Sequence, residues 1–168
     1  MVVRFSTVPD SPVSPFHSTV NRRLGMLTRA LGLAYVAFLD REAFDLTMNI
    51  LRNSKDPEDA RSHHPAEIER LVAQIRDAGY ATRSSLVEPR NSNTIAVPII
   101  GQADSVLATV GLTYFKSAFA SDQQAIDRFA PLLKSAASAI SEDLERLSSK
   151  LAMDEIGCAS ELQMPGET

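Results

Sequence analysis

Few residues in this 168-residue chain combine type and spacing in a way that suggests chemistry. The most conspicuous is Arg29, which heads an otherwise apolar run in "GMLTRALGLAYVAFL". If Thr28 caps a helix, Arg29 falls in its first turn, where the helix dipole already presents positive charge. Unless an anion is close, that placement costs a few tenths to ~1 kcal/mol. Two readings stay open. The stem can pack on the helix while the head reaches water or pairs with an acidic loop. Alternatively, the guanidinium and the free amides of the helix N-terminus together bind a carboxylate. Arg83, just past Gly79-Tyr80, is a second candidate cation, whereas Arg22 and Arg23 read as solvent-facing. His63-His64 with Glu67 has a spacing loosely compatible with a metal site, but in a polar loop before a helix it reads as solvated residues and a cap. His17 stands alone, and Cys158 has no histidine beside it. There is no G-x-S-x-G, G-x-G-x-x-G or P-loop pattern. Nothing here argues for an enzyme, and no cofactor is implied.

Composition narrows the class. Hydrophobic residues make up 44% and charged residues 23%, as in an ordinary globular domain. A formal charge of −4 argues against a nucleic-acid binder, which is normally basic. One cysteine excludes a disulfide within the chain and fits a reducing, cytoplasmic setting. The run from Ala30 to Leu39 is too short to span a bilayer, and the N-terminus lacks a signal-peptide core.

The elements that must position these residues follow from pattern. "MVVRFSTV" alternates like a strand, prolines follow at 9, 12 and 15, and "FHSTV" reads as a second extended piece. The helix after Thr28 is apolar nearly all round and so should be central, and Gly32 inside it suggests that another backbone passes close. Asp40 caps a second helix that buries Phe44, Met48 and Leu51. "NSKDPEDARSHH" is a polar loop. A third helix starts at Pro65, repeats Ile68, Leu71, Val72 and Ile75, and stops at Gly79. "YATRS" is a strand, and "TIAVPII" and "SVLATVGLTYF" form a hairpin across "GQAD", with Pro98 at an edge or bulge. A long helix capped by Ser121 and Gln124 closes the domain, with Pro131 inside it. The order is β-β-α-α-α-β-β-β-α, an α/β (α+β) domain with an antiparallel sheet over residues 1–151, followed by a disordered tail at 152–168.

In the hairpin, if Ile100 faces Ser105, then Thr94 faces Gly111 and Ala96 faces Thr109. Alternation puts Thr94, Ala96, Thr109, Gly111 and Thr113 on one face, and Ile95, Val97, Val110, Leu112 and Tyr114 on the other. The second face is a core. The first is either simply wet or lines a cavity.

"NRRLGMLTRALGLAYVAFLDRE", "IRDAGYATRSS", "NTIAVPIIGQADSVLATVGLTYF" and "FAPLLKSAASAISEDL" resemble, in order and spacing, the effector-binding domain of IclR-type bacterial transcription regulators. Within that family they are most similar to the subgroup controlling degradation of aromatic acids. The resemblance implies a GAF-like domain with flanking helices and a long C-terminal helix. It also implies a small organic acid held between the sheet and the start of the first helix. By the same resemblance, contacts would come from Val13, Phe16, Leu24, Arg29, Ala30, Leu31, Arg83, Thr94, Gly111 and Thr113. Gly111 stands where the family usually carries a hydroxyl, leaving room for a flatter, bulkier acid. Family members carry a winged helix-turn-helix, a helix and a further strand ahead of this domain. Nothing like them precedes Met1, so the chain is expected to be an expressed fragment, an incompletely called reading frame or a relic, and not to bind DNA by the family's route. The implied action is allosteric, within a homodimer or tetramer, with no membrane partner. The alternative is a free-standing GAF- or PAS-like sensing module acting through a protein partner.

Overall fold

Three antiparallel strands, neighbours in the sheet in the order of the sequence, carry a helix on each face. The computed structural model describes residues 1–10, 19–85 and 87–161. Helix α1 (Ala30–Ala37) is followed by α2 (Arg41–Arg52), a 3-10 segment at Pro57–His63 and α3 (Pro65–Ala78). Strands β1 (Ala81–Thr82), β2 (Ser92–Ile100) and β3 (Val106–Phe115) precede α4 (Asp122–Glu161). Among the described residues no helix is long and apolar enough to cross a membrane.

Locally encoded features form as their residues dictate. Asp40 accepts from the Ala43 amide at 2.8 Å and starts α2, which buries Phe44, Met48 and Leu51. Pro65 opens α3, and Gly79, in the left-handed region at φ 69°, ends it by donating to the Ile75 carbonyl. At the start of α4 the Gln124 amide donates to the Ser121 hydroxyl, and the Gln124 side chain accepts from the Ala120 amide. Helix α1 is central, as its all-round apolarity requires, burying Ala30, Gly32, Leu33, Ala34, Val36 and Ala37.

The sheet separates two cores. Ala96, Ile100 and Val106 face α1 and join Leu27, Leu33, Phe44 and Ile68. Ile95, Val97, Ile99 and Tyr114 face α4 and join Ala130, Leu133 and Ala137. On the α4 side the Tyr114 hydroxyl donates to Asp122 at 2.9 Å. Burial, with this bond to a carboxylate, pushes the phenol up to about 12.

Several expectations are corrected. The first eight residues do not form a strand: Val2 makes an isolated bridge with Arg23, and Val8–Asp10 is a 3-10 turn. Among the described residues the backbone bonds that this segment makes to the 21–24 stretch involve Met1 and Val3, and a bridge this short cannot propagate into a ladder. In "FHSTV", residues 16–18 lie outside the described residues, and Val20 with Asn21 (φ 66°) forms a turn. "YATRS" contracts to Ala81–Thr82. The polar loop holds a 3-10 segment, capped by Asp56 and begun by Pro57.

The hairpin register is displaced by two residues, so Thr94 faces Thr113 and Ala96 faces Gly111. A bulge at Ile99/Ile100 and a turn using positive φ at Ala103 and Asp104 absorb the difference. A two-residue displacement keeps every side chain on its expected face. Pro98 lies on β2 beyond the stretch that β1 pairs and one residue before the bulge, so no ladder bond is lost there on the β1 side. Helix α4 runs on through residues 152–161, where a tail was expected, and residues 162–168 lie outside the described residues.

Gly32 packs α1 directly against backbone. A Cβ there would stand 2.4 Å from the Gly25 carbonyl oxygen and 2.6 Å from Met26 Cα, so the passing backbone inferred from the sequence is present. Backbone cannot move aside as a flexible side chain can. Gly32→Ala is therefore expected to destabilise by about 3 kcal/mol despite its better helix propensity, read as a lowered urea midpoint at unchanged slope.

Candidate functional site

Arg29 is the N-cap of α1 rather than a first-turn residue, in extended conformation (φ −94°, ψ 140°). Thr28 does not cap the helix, and α1 has no side-chain cap. Instead the Thr28 hydroxyl donates to Glu58 Oε2 at 2.6 Å. Arg29 grips the same carboxylate with both edges of its fork, Nε to Oε2 at 3.1 Å and Nη2 to Oε1 at 2.6 Å. A carboxylate thus sits at the positive end of α1, which removes the dipole penalty. Of the two readings open at the sequence level, pairing with an acidic loop is the one seen.

Local sequence explains how Glu58 arrives. Asp56 accepts from the Glu58 amide at 2.9 Å, and Pro57 pre-sets the turn. Arg61, on the same segment, donates to the Leu27 carbonyl at 2.9 Å and to Glu67 at 2.6 Å, tying the segment to both α1's approach and α3. Gly25 leaves the space the carboxylate occupies, since a Cβ there would lie 2.3 Å from Glu58 Oε2. Arg29's hydrogen bonds hold the Glu58 carboxyl below its ordinary range; partial burial opposes this and Thr28 adds to it.

The third edge of Arg29 donates to the Glu88 carbonyl at 2.9 Å, bringing the loop after β1 to the same corner. Arg83 begins that loop, its amide bonded to the Thr94 carbonyl. Its guanidinium is spent on neutral oxygens, the carbonyls of Pro89 and Ser92 and the Ser92 hydroxyl. Burial, followed by repulsion from Arg29, draws Arg83 below its usual value. Among the described residues Arg83 has no ion-pair partner within salt-bridge distance, although Glu88 and Asp122 attract it from further away. Beside it, the Thr94 and Thr113 hydroxyls lie 2.9 Å apart across the hairpin.

The expected site residues are partly brought together. Arg29, Arg83, Thr94 and Thr113 share one end of the sheet. Leu31 lies over Gly111, its Cδ2 2.9 Å from where a Cβ would be, so the room the glycine leaves is filled by leucine rather than open. Ala30 is wholly buried in the core. Leu24 bonds through its backbone to Met1. Val13 and Phe16 lie outside the described residues. A cleft of about 510 Å³ lies at the other end of the sheet, lined by Phe38, Pro98, Gly101, Lys134 and Ala137 and by none of the expected site residues. Glu67 is engaged by Arg61, and among the described residues no group of His, Cys, Asp or Glu is arranged to hold a metal.

Residues the sequence reading did not single out are Gly25, Glu58 and the carbonyls of Glu88 and Pro89. Glu58 lies 29 positions from Arg29, so no local spacing links them. The available signal was an unbalanced arginine at a helix start and an acidic turn downstream.

Comparison with known proteins follows the same geometry. A family model described as bacterial transcriptional regulator IclR C-terminal matches residues 9–142. The Thermotoga maritima IclR structure is 23% identical with a TM-score of 0.63, covering 77% of this chain and 51% of that one. An IclR-family regulator from Brucella abortus is 16% identical with a TM-score of 0.60, covering 77% and 48%. Pseudomonas aeruginosa HmgR is 25% identical with a TM-score of 0.54, covering 75% and 47%. The chain therefore spans about half the length of these solved relatives.

The ion pair makes stability depend on pH. A carboxylate whose folded pKa is depressed stabilises above its unfolded value of 4.5, and that stability is lost as pH falls through the folded value. Wild type is expected to exceed Glu58→Gln by about 1 kcal/mol at pH 7, after allowance for solvent screening, with the gap closing below about pH 4. Thermal melts of both proteins from pH 7 to pH 3 check this.

Proposed function

The chain belongs to the IclR C-terminal family of bacterial transcriptional regulators, and from that premise we propose that it senses a small organic acid at the mouth of α1. The observation that carries this reading is the bidentate grip of Arg29 on Glu58 at the helix N-cap, with Arg83 beside it. The guanidinium is already held in the geometry that receives a carboxylate. Glu58 fills the position a ligand's carboxylate would take, tethered there by its own chain. An effector acid competes with Glu58, adding bonds to Thr94 or Thr113 and apolar contact near Leu31 and Gly111. Leu31 meets Gly111 with the far end of its side chain, which can rotate to admit a flat ring.

The exchange gives sensing a physical route. Once Glu58 is displaced, the Pro57–His63 segment between α2 and α3 loses its ion pair to the start of α1 and is held there by Arg61 on the Leu27 carbonyl. In a complete regulator, the acid shifts the equilibrium between DNA-binding and released arrangements only through its different affinity for the two, typically ~1–3 kcal/mol of coupling. Aromatic acids are the favoured class, and the acting assembly is a homodimer or tetramer. The role is binding and not catalysis, in keeping with the family.

A thermal-shift panel of benzoate, phenylpropionate and acetate tests the reading. An aromatic acid at ~100 times its dissociation constant is expected to stabilise by ~2.7 kcal/mol. Arg29→Ala abolishes that shift. Glu58→Gln, which removes the tethered competitor's charge, tightens binding about fivefold, equivalent to ~1 kcal/mol. A shift that survives Arg29→Ala removes this site from the account.

A further inference from the structure

Helix α4 is longer than the domain it closes. Its apolar positions Ile126, Ala130, Leu133, Ala137, Ile140, Leu144 and Leu147 alternate in steps of four and three, and the sequence continues the series to Leu151. The first half of this stripe is used: Ala130, Leu133 and Ala137 are buried against Ile95, Val97 and Ile99. The second half faces solvent, with Ile140 37%, Leu144 36% and Leu147 58% exposed. The family match stops at residue 142, so most of this uncovered stretch lies past the shared domain.

We propose that residues 140–151 of α4 form an antiparallel helix pair with the same stretch of a second copy of this chain. A strict seven-residue repeat fits a two-helix seam, whose complement is another helix of the same repeat. With Ile140 and Leu147 in one core position and Leu144 and Leu151 in the other, the seam-flanking residues are Asp143 and Lys150 on one side, Ser141 and Ser148 on the other. Antiparallel pairing sets like flanks against each other, so Asp143 meets Lys150 of the second copy twice and the serines meet serines. Parallel pairing would set Asp143 against serine and leave the charges unused. Asp143 is exposed and contacts Arg146 of its own helix, a surface pair that Lys150 of the second copy would share.

Shape selects the same orientation. The sheet lies on the stripe side of α4 as far as Ala137, so a parallel approach would drive two sheets together. In the antiparallel arrangement, with the twofold between Glu145 and Arg146, the two bodies lie at opposite ends. Leu144 then faces Leu147 of the second copy and Ile140 faces Leu151. Past that point the partner's helix meets the cleft of about 510 Å³ that opens beside Ala137, Ser138 and Ser141, where α4 leaves the sheet. Roughly three turns of contact make a small interface, so association is expected in the micromolar range.

Sedimentation equilibrium of the full 168-residue chain from 5 to 200 µM tests this, and a monomer–dimer equilibrium is the expected result. Leu147→Glu should weaken the dimer at least tenfold while leaving the thermal midpoint of the dilute monomer unchanged, since Leu147 contributes nothing to the core. Asp143→Lys, which opposes Lys150 of the second copy, should weaken it likewise, and the double swap Asp143→Lys, Lys150→Asp should restore it. A monomer at 200 µM, or a dimer indifferent to Leu147→Glu, overturns the proposal. A dimer broken by Leu147→Glu but indifferent to the charge swaps overturns the antiparallel pairing.

Discussion

The bidentate pair between Arg29 and Glu58 is the constraint on which the upper end of this molecule depends. A guanidinium at a helix N-cap is electrostatically misplaced until an anion joins it. Here the anion comes from a turn 29 residues away, and meeting it draws three separate segments onto the start of α1. The Pro57–His63 segment supplies Glu58, the loop after β1 supplies the Glu88 carbonyl, and Gly25 yields the space. The pair is half-hidden, with the Arg29 side chain 19% and that of Glu58 30% exposed. That is enough burial to fix geometry while leaving the partners exchangeable, because a pair still in reach of water loses little when one carboxylate replaces another. At the same corner Arg83 spends its bonds on neutral carbonyls.

Below this corner the fold does simpler work. The hairpin presents a slim face to α1 and a bulky one to α4, so each helix packs against side chains of a different size. Ala96 opposite Gly111 lets Leu31 of α1 settle onto the strands. Gly32 lets α1 lie against the chain that leads into it. The domain is therefore built around α1, and the candidate site lies at that helix's N-cap, where the Arg29 side chain is still in reach of water.

What the sequence made legible was local or periodic. Asp40 as a cap, Pro65 and Gly79 as the ends of α3, and the division of the hairpin into two faces depend on neighbours within a few residues. They appear as the pattern requires. The hairpin register was not legible, because a bulge and two positive-φ turn residues decide it, and Ala103 is not a residue type that announces such a conformation. The opening segment alternates like a strand, yet strands need neighbours, and among the described residues it has a single isolated bridge, Val2 with Arg23. At the site, Arg29 could be recognised as unbalanced. Glu58 could not be named, because a contact made by tertiary folding leaves no spacing in the chain. Family resemblance likewise pointed to Gly111 as open room, where packing by Leu31 fills it.

The central claim is that Glu58 holds a place that an effector's carboxylate takes over. Carbon-13 NMR of the Glu58 side-chain carboxyl, titrated with pH with and without saturating benzoate, tests it most directly. In the free protein the resonance should titrate below the ordinary carboxylate range because Arg29 holds it there. With benzoate bound, Glu58 should be released and titrate near 4.5, as an ordinary side chain does. If benzoate binds while Glu58 keeps its depressed titration, the acid sits elsewhere and the exchange described here does not occur.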